Sequence, residues 1–294
     1  MPDTLQTRET AALDDSRFAS YLDVDFIEEA RRFRRLMGAT PRLESVGMAG
    51  APLYADVMPL VDESQWQPLI EAKNAGGGML QPLIRHVKDQ NGEPSCVSNA
   101  TLSGHEIKQV EMFGAEKLTI LSPISLYMRV GSRRSGSSLS DNLREMLEIG
   151  ALPQNDSPNA SLFKHTMPAN GYGTAYPTDW KTTAAEFRVA EYADISSWKE
   201  FVSALLNGHP VVYARSGHCI LAVGLIYRNG SLYLVYLNSW GQWGAAINSH
   251  FSYGAGFDSE RVGKASAYGA FAILNVKQPS VVAVPPAPQL VLAV

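Results

Sequence analysis

Gln90-Asn91-Gly92-Glu93-Pro94-Ser95-Cys96 places a Gln six residues ahead of a Cys, with a Gly/Pro/Ser turn between them. The six residues that follow, Val97-Ser98-Asn99-Ala100-Thr101-Leu102, hold no Gly or Pro. The stretch therefore predicts a loop running into a helix that begins at Cys96. A thiol at that position meets the positive end of the helix dipole, which favours thiolate. A lone cysteine is also an ordinary small core hydrophobe, so the choice between packing and chemistry rests on the rest of the chain.

Working outward, the helix from Cys96 is expected to reach about Phe113 through Val97, Leu102, Ile107 and Val110, with Gly104 a mild interruption. Ser122-Pro123 opens another helix, Ser as N-cap and Pro in the first turn. A third spans 140–149, stopped by Gly150 and Pro153, and a fourth begins at Ser196 or Ser197 and closes before Gly208 and Pro210. Upstream, Phe26, Ile27, Ala30, Phe33 and Leu36 predict a helix over 24–37, whose Arg31, Arg32, Arg34 and Arg35 read as a solvated face. Gln65 to Asn74 predicts a short helix, and Ala75-Gly76-Gly77-Gly78 is the most flexible spot in the first third.

Beyond Gly208 the pattern changes. Segments 211–215, 218–228, 231–238 and 268–276 are rich in β-formers, and Arg228-Asn229-Gly230-Ser231 is a hairpin turn between two of them. Helices first and strands second give an α+β chain of two lobes with a cleft between. Ser216-Gly217-His218 opens one strand, and Leu237-Asn238-Ser239-Trp240-Gly241 ends its hairpin partner. Counting outward from the turn brings Asn238 beside Ile220, within two residues of His218. A thiolate needs a base beside it, and the imidazole needs a third group to fix its ring. An Asn oxygen can do that without adding charge, and a flanking Trp shields the bond from water.

Gln-x5-Cys, Gly-His before an apolar strand, and Asn-Ser-Trp-Gly, in that order, resemble the papain-like cysteine proteases. His218 and Asn238 follow Cys96 by 122 and 142 residues, against about 130–150 in the family, so His218 comes slightly early. The resemblance covers about residues 80–276. It implies a papain-like two-lobed α+β fold with a helical lobe at about 90–155 and an antiparallel β lobe at about 156–277. It further implies Cys96 as nucleophile, His218 as general base and acid, and Asn238 as the group orienting the imidazole. Gln90 and the Cys96 backbone N–H would form the oxyanion hole, and Trp240 would cover the Asn–His bond. Gly136-Ser137-Ser138 is most similar to the family's Gly-Gly stretch, which pairs with substrate backbone. Leu121-Ser122-Pro123 and Gly150-Ala151-Leu152-Pro153 are further landmarks. Departures cluster at the nucleophile: Glu93 stands where the family has a disulfide Cys, and Val97 where it has Trp. They mark a divergent member, of bacterial or phage type.

The expected activity is that of a cysteine endopeptidase acting through a Cys-His-Asn site and a thioester acyl-enzyme. The competing reading is a catalytically weak or inactive papain-fold structural or binding protein of a virion or other assembly. No cofactor or metal is expected, because the remaining histidines lack metal spacing. Cys96 and Cys219 are the two cysteines, so no disulfide framework exists, and strand alternation turns Cys219 into the core. A formal net charge of -4 argues against nucleic acid as the partner. No stretch reaches the roughly 18 apolar residues that span a bilayer. Without a secretory h-region, a cytoplasmic or assembly-associated location is expected. The expected partner is a protein or peptide substrate. Residues 1–79 are expected to be an arm or propeptide-like segment with Gly76–Gly78 as a cleavage linker, 80–277 the peptidase domain, and 278–294 a Pro-rich apolar tail. The arm and tail are candidate surfaces for a protein partner.

Overall fold

The computed structural model describes residues 15–40 and 51–280. The start of the predicted lead-in, and the predicted tail past Ser280, lie outside them. In chain order the helices are α1 (Asp15–Ser20), α2 (Phe26–Arg32), α3 (Tyr54–Val57), α4 (Trp66–Ala75), α5 (Cys96–Phe113), α6 (Pro123–Val130), α7 (Leu139–Glu148), α8 (Trp180–Ala184), α9 (Trp198–Leu206) and α10 (Glu260–Ala267). The strands are β1 (Val189–Asp194), β2 (Val211–Arg215), β3 (His218–Arg228), β4 (Ser231–Leu237), β5 (Ala245–Ala246), β6 (Gly254–Ser259) and β7 (Phe271–Val276).

The strands form one antiparallel sheet in the order β1-β7-β2-β3-β4-β6-β5. Helix α5 lies against it. Gly104, in the middle of α5, faces the sheet at close range: a Cβ there would stand 2.8 Å from Ile273 and 3.2 Å from Leu221. The glycine read as an interruption is thus a contact point between helix and sheet. On the far side of α5, α6 and α7 complete the helical lobe. Ser122 caps α6 through Ser125 N and Ser138 caps α7 through Asp141 N, each supplying one of the first-turn acceptors a helix lacks.

A buried ion pair ties the stretch before Gln90 to this lobe. Lys88 Nζ lies 2.7 Å from Glu106 Oε1 on α5 and donates to the Leu121 carbonyl at 2.9 Å. The same Glu106 oxygen accepts from Leu121 N–H at 2.8 Å. Burial pushes the Glu106 carboxyl up, and Lys88 opposes that shift.

The helix predicted over 24–37 stops at Arg32. Asp25 caps its start, Arg34 takes a φ of 51°, and the following residues run extended. Short helix α1 occupies part of the predicted lead-in, and Leu22 bridges to Phe257 of β6. Helix α4 matches the predicted one within a residue. It buries Trp66 and Ile70 in the main core, and Asn74 Nδ2 donates to the Leu225 carbonyl of β3 at 2.9 Å. Gly76 caps the end of α4, and Leu80 N–H then donates to the Val223 carbonyl at 3.1 Å. Helix α4 and Leu80 are therefore packed on the sheet, with Gly76 and Gly77 exposed in the turn that joins them.

Candidate active site

Two tight hairpins position the β-lobe residues. Ser216 and Gly217 both have positive φ, 52° and 75°, and join Arg215 to His218 across a two-residue turn. Asn229 and Gly230 repeat that geometry at the other end of β3. A register shift between Ala222 and Gly224 aligns Leu221 with Leu237, so Asn238 follows next to Ile220.

His218 Nε2 lies 2.9 Å from Asn238 Oδ1, which also accepts from Ser239 N–H at 2.8 Å. That backbone donor fixes the amide oxygen, so Nε2 carries the ring proton. The second ring nitrogen, Nδ1, is buried without a hydrogen-bond partner among the described residues. Trp240 lies beside the ring, centroids 4.8 Å apart.

Cys96 is the first residue of α5 and is fully buried. Its sulfur receives backbone hydrogen bonds from Cys219, Gly38 and Val97, which favour thiolate, yet burial outweighs them and pushes the thiol up. The contact with Cys219 places the sulfur beside the residue that follows His218. Cys219 itself is a free, fully buried core thiol.

Gln90 is fully buried. Its Oε1 accepts from Ser239 Oγ at 2.9 Å, and its backbone N–H donates to the Ser239 carbonyl at 2.8 Å. Ser239 thus orients the amide, a role its place between Asn238 and Trp240 did not suggest. Glu93, in the disulfide position of the resemblance, accepts on Oε1 from the N–H groups of Gly171 (2.9 Å) and Tyr172 (2.8 Å). It holds the turn before Cys96 against the 170–172 loop. Asn142 on α7 does similar work across the cleft wall, accepting from Ser98 Oγ at 2.5 Å and donating to Ser137 Oγ at 2.8 Å and the Ser138 carbonyl at 2.7 Å.

The cleft is filled by the chain's own N-terminal segment. Gln90 Nε2 donates to the Leu36 carbonyl at 2.7 Å and to the Glu93 carbonyl at 2.8 Å. Ser137 N–H donates to Gly38 O at 2.7 Å, and Thr40 N–H to Ser137 O at 3.1 Å, a parallel bridge centred on Ala39. From the other wall, the Gly217 carbonyl accepts from Ala39 N–H at 3.0 Å. The fit is backbone against backbone: a Cβ at Gly38 would overlap the Pro94 carbonyl, and one at Gly136, whose φ is 72°, would overlap Gly38.

Phe26, fully buried, closes the site from above. Its ring lies 4.6 Å from the His218 ring and 5.7 Å from that of Trp240. The Arg215 guanidinium sits 4.2 Å from its centroid, pairs with buried Asp258 at 2.7 Å and donates to the Val24 carbonyl at 2.8 Å. Nothing in the residue pattern of 24–37 marked Phe26 as a lid. Arg35, expected on a solvated helix face, instead pairs with Asp89 at 2.9 Å.

The same burial acts on the charge of both groups. Burial, with Arg215 as a lesser cause, pulls the His218 imidazole down to about 4, although its bond to Asn238 opposes the shift. In this covered state burial disfavours charge on both groups, the thiolate at Cys96 and the imidazolium at His218.

No protein-family model matches the sequence, and no curated protein does. Solved structures do resemble it. Xylellain, a cysteine protease from Xylella fastidiosa, is similar at 17% identity, covering 82% of this chain and 96% of that one, with a TM-score of 0.57. A procathepsin B from Trypanosoma congolense is similar at 16% identity over 87% and 90% of the chains, TM-score 0.56. A digestive procathepsin L2 from Tenebrio molitor larval midgut is similar at 14% over 86% and 82%, TM-score 0.58. The chain has the fold of the papain-like cysteine proteases.

Proposed function

We propose that the chain is a cysteine endopeptidase held in a latent form by its own residues 15–40. The observation that carries this reading is the His218–Asn238 bond at 2.9 Å, with Cys96 at the adjacent helix start and a peptide segment hydrogen-bonded between both walls. In the open cleft, Cys96 attacks a peptide carbonyl and His218 Nδ1 takes the thiol proton. Gln90 Nε2 and the Cys96 N–H hold the oxyanion, and His218 then protonates the leaving amine. Water releases the acyl group from the thioester. Asn238 keeps the imidazole turned, Trp240 shields their bond, and Gly136, Ser137 and Ser138 dock substrate backbone as Ser137 now docks Gly38 and Thr40.

The removable segment ends within 41–50 in this reading, not at Gly76–Gly78. Helix α4 and Leu80, on either side of those glycines, pack on the sheet lobe, whereas 36–40 make the contacts a substrate would make. Two of the similar solved structures are themselves of proforms, which accords with a latent state.

The second reading, a papain-fold binding protein with a permanently filled cleft, draws on the same full burial of Phe26 and His218. One experiment separates them. Wild type and Cys96→Ala are incubated and followed by intact mass and by turnover of an unfolded protein substrate. A cut within 41–50 and turnover in wild type alone support the peptidase. An intact wild-type chain with no turnover from acidic to neutral pH supports the binding protein.

A further inference from the structure

The arm reports what the cleft accepts at its far end. Leu36 puts its carbonyl on Gln90, and Ala39 is held by Ser137 and Gly217, so the arm's backbone stands in for substrate backbone. One residue past Leu36, away from Ser137, the Arg35 guanidinium is held by two oxygens. Its Nη1 lies 2.9 Å from Asp89 Oδ1 and its Nη2 donates to Asp89 Oδ2 at 3.1 Å. Asn91 Oδ1 accepts a further bond from Nη1 at 3.4 Å.

Asp89 is held in place for this. Its Oδ1 accepts from Asn91 N–H at 2.8 Å, and its carbonyl accepts from Asn170 Nδ2 at 3.2 Å. It also bridges to Trp240, the residue beside His218. The side chain nevertheless remains 46% exposed with Arg35 in place, so it is a cleft-rim carboxylate without a core role. A forked guanidinium on a fixed carboxylate is the geometry in which Arg differs from a neutral isostere.

We infer that Asp89 and Asn91 form a subsite for a basic substrate side chain, which Arg35 occupies in the latent chain. The inference rests on the peptidase reading and gives it a substrate class: peptides carrying Arg within a residue or two of the scissile bond, on the Asp89 side.

The test uses the full chain after incubation, with rates normalised to titrated Cys96. Peptides differ only by Arg or citrulline, scanned over the positions flanking the scissile bond. At one position on one side, Arg is expected to raise kcat/KM about fivefold over citrulline, the upper range for a half-exposed ion pair. The preference shrinks with added salt and falls to about one in Asp89→Asn, which keeps the Asn91 turn. An Arg/citrulline ratio of one at every position, or a preference that survives Asp89→Asn, overturns the inference. If no peptide is cleaved, the peptidase reading fails separately. The subsite is then judged by anisotropy of the same labelled peptides on full-chain Cys96→Ala/Phe26→Ala/Arg35→Ala, in which loss of the Phe26 ring loosens the arm and loss of the Arg35 side chain frees Asp89. Tighter binding of the Arg peptide upholds it, and equal affinities overturn it.

Discussion

Replacing Phe26 with Ala should open the site without unfolding the protein. The ring is fully buried against His218, Trp240 and Tyr236, with the Arg215 guanidinium 4.2 Å from its centroid. Truncating a buried Phe costs about 3–5 kcal/mol, and the lost cation–π contact adds up to about 1 kcal/mol. Taking about 3 kcal/mol as the part felt by arm closure, the open population rises about 150-fold. The readout is the rate at which iodoacetamide alkylates Cys96, followed by peptide mass. Cys219, fully buried in β3, is the internal reference, since it becomes reactive only when the sheet opens. The expected result is Cys96 labelling faster by about two orders of magnitude with Cys219 unchanged. Labelling of Cys96 within about twofold of wild type would refute the lid argument. So would a parallel rise at both thiols, which reports global unfolding.

Acid should release the arm. The His218 imidazole lies at about 4 under the arm, against 6.5 in water, so the opened form binds the proton more readily. Closure is fully favoured above pH 6.5 and weakens as pH falls toward 4; at pH 5 the opening constant rises about 30-fold, or about 2 kcal/mol. Hydrogen exchange of residues 15–40, corrected for intrinsic rates, measures it, and a pH-independent opening constant counts against it. Lys88→Met strands the buried Glu106 carboxylate and should cost about 3–5 kcal/mol of stability. That deficit narrows as acid protonates Glu106, and urea midpoints at two pH values give both numbers; a loss under about 1 kcal/mol would contradict the burial argument. Cys96→Ala should abolish both turnover and the cut within 41–50, read by intact mass.

What the sequence reveals follows from how local each signal is. Helix α5, the Ser122 cap and the Asn229-Gly230 turn depend on near neighbours, and all are legible as residue patterns. Counting along the hairpin brings Asn238 to within a few residues of His218, and the register shift between Ala222 and Gly224 sets the final pairing. Strand β6, Gly254-Ala-Gly-Phe-Asp-Ser, carries two glycines and little alternation, and pairing with β4 creates it. The end of α2 at Arg32 is non-local too. The apolar spacing runs on to Leu36, but Leu36–Thr40 find hydrogen bonds on two cleft walls that helix geometry would forgo. For the same reason no pattern in 24–37 distinguishes Phe26 over His218, or Arg35 on Asp89, from ordinary helix residues.

The Glu93 clamp changes how this site relates to its redox surroundings. A nucleophilic thiol works only while reduced, and a crosslink of two sulfurs survives only while oxidised. A cysteine at position 93 would set those two demands against each other within one turn. Here the turn before Cys96 is joined to the 170–172 loop by a carboxylate on two N–H groups, a link that no reductant can cut. Thiol concentrations that keep Cys96 reduced should therefore leave the melting temperature where it stands. The link that holds the turn and the redox state of the Cys96 sulfur are chemically decoupled.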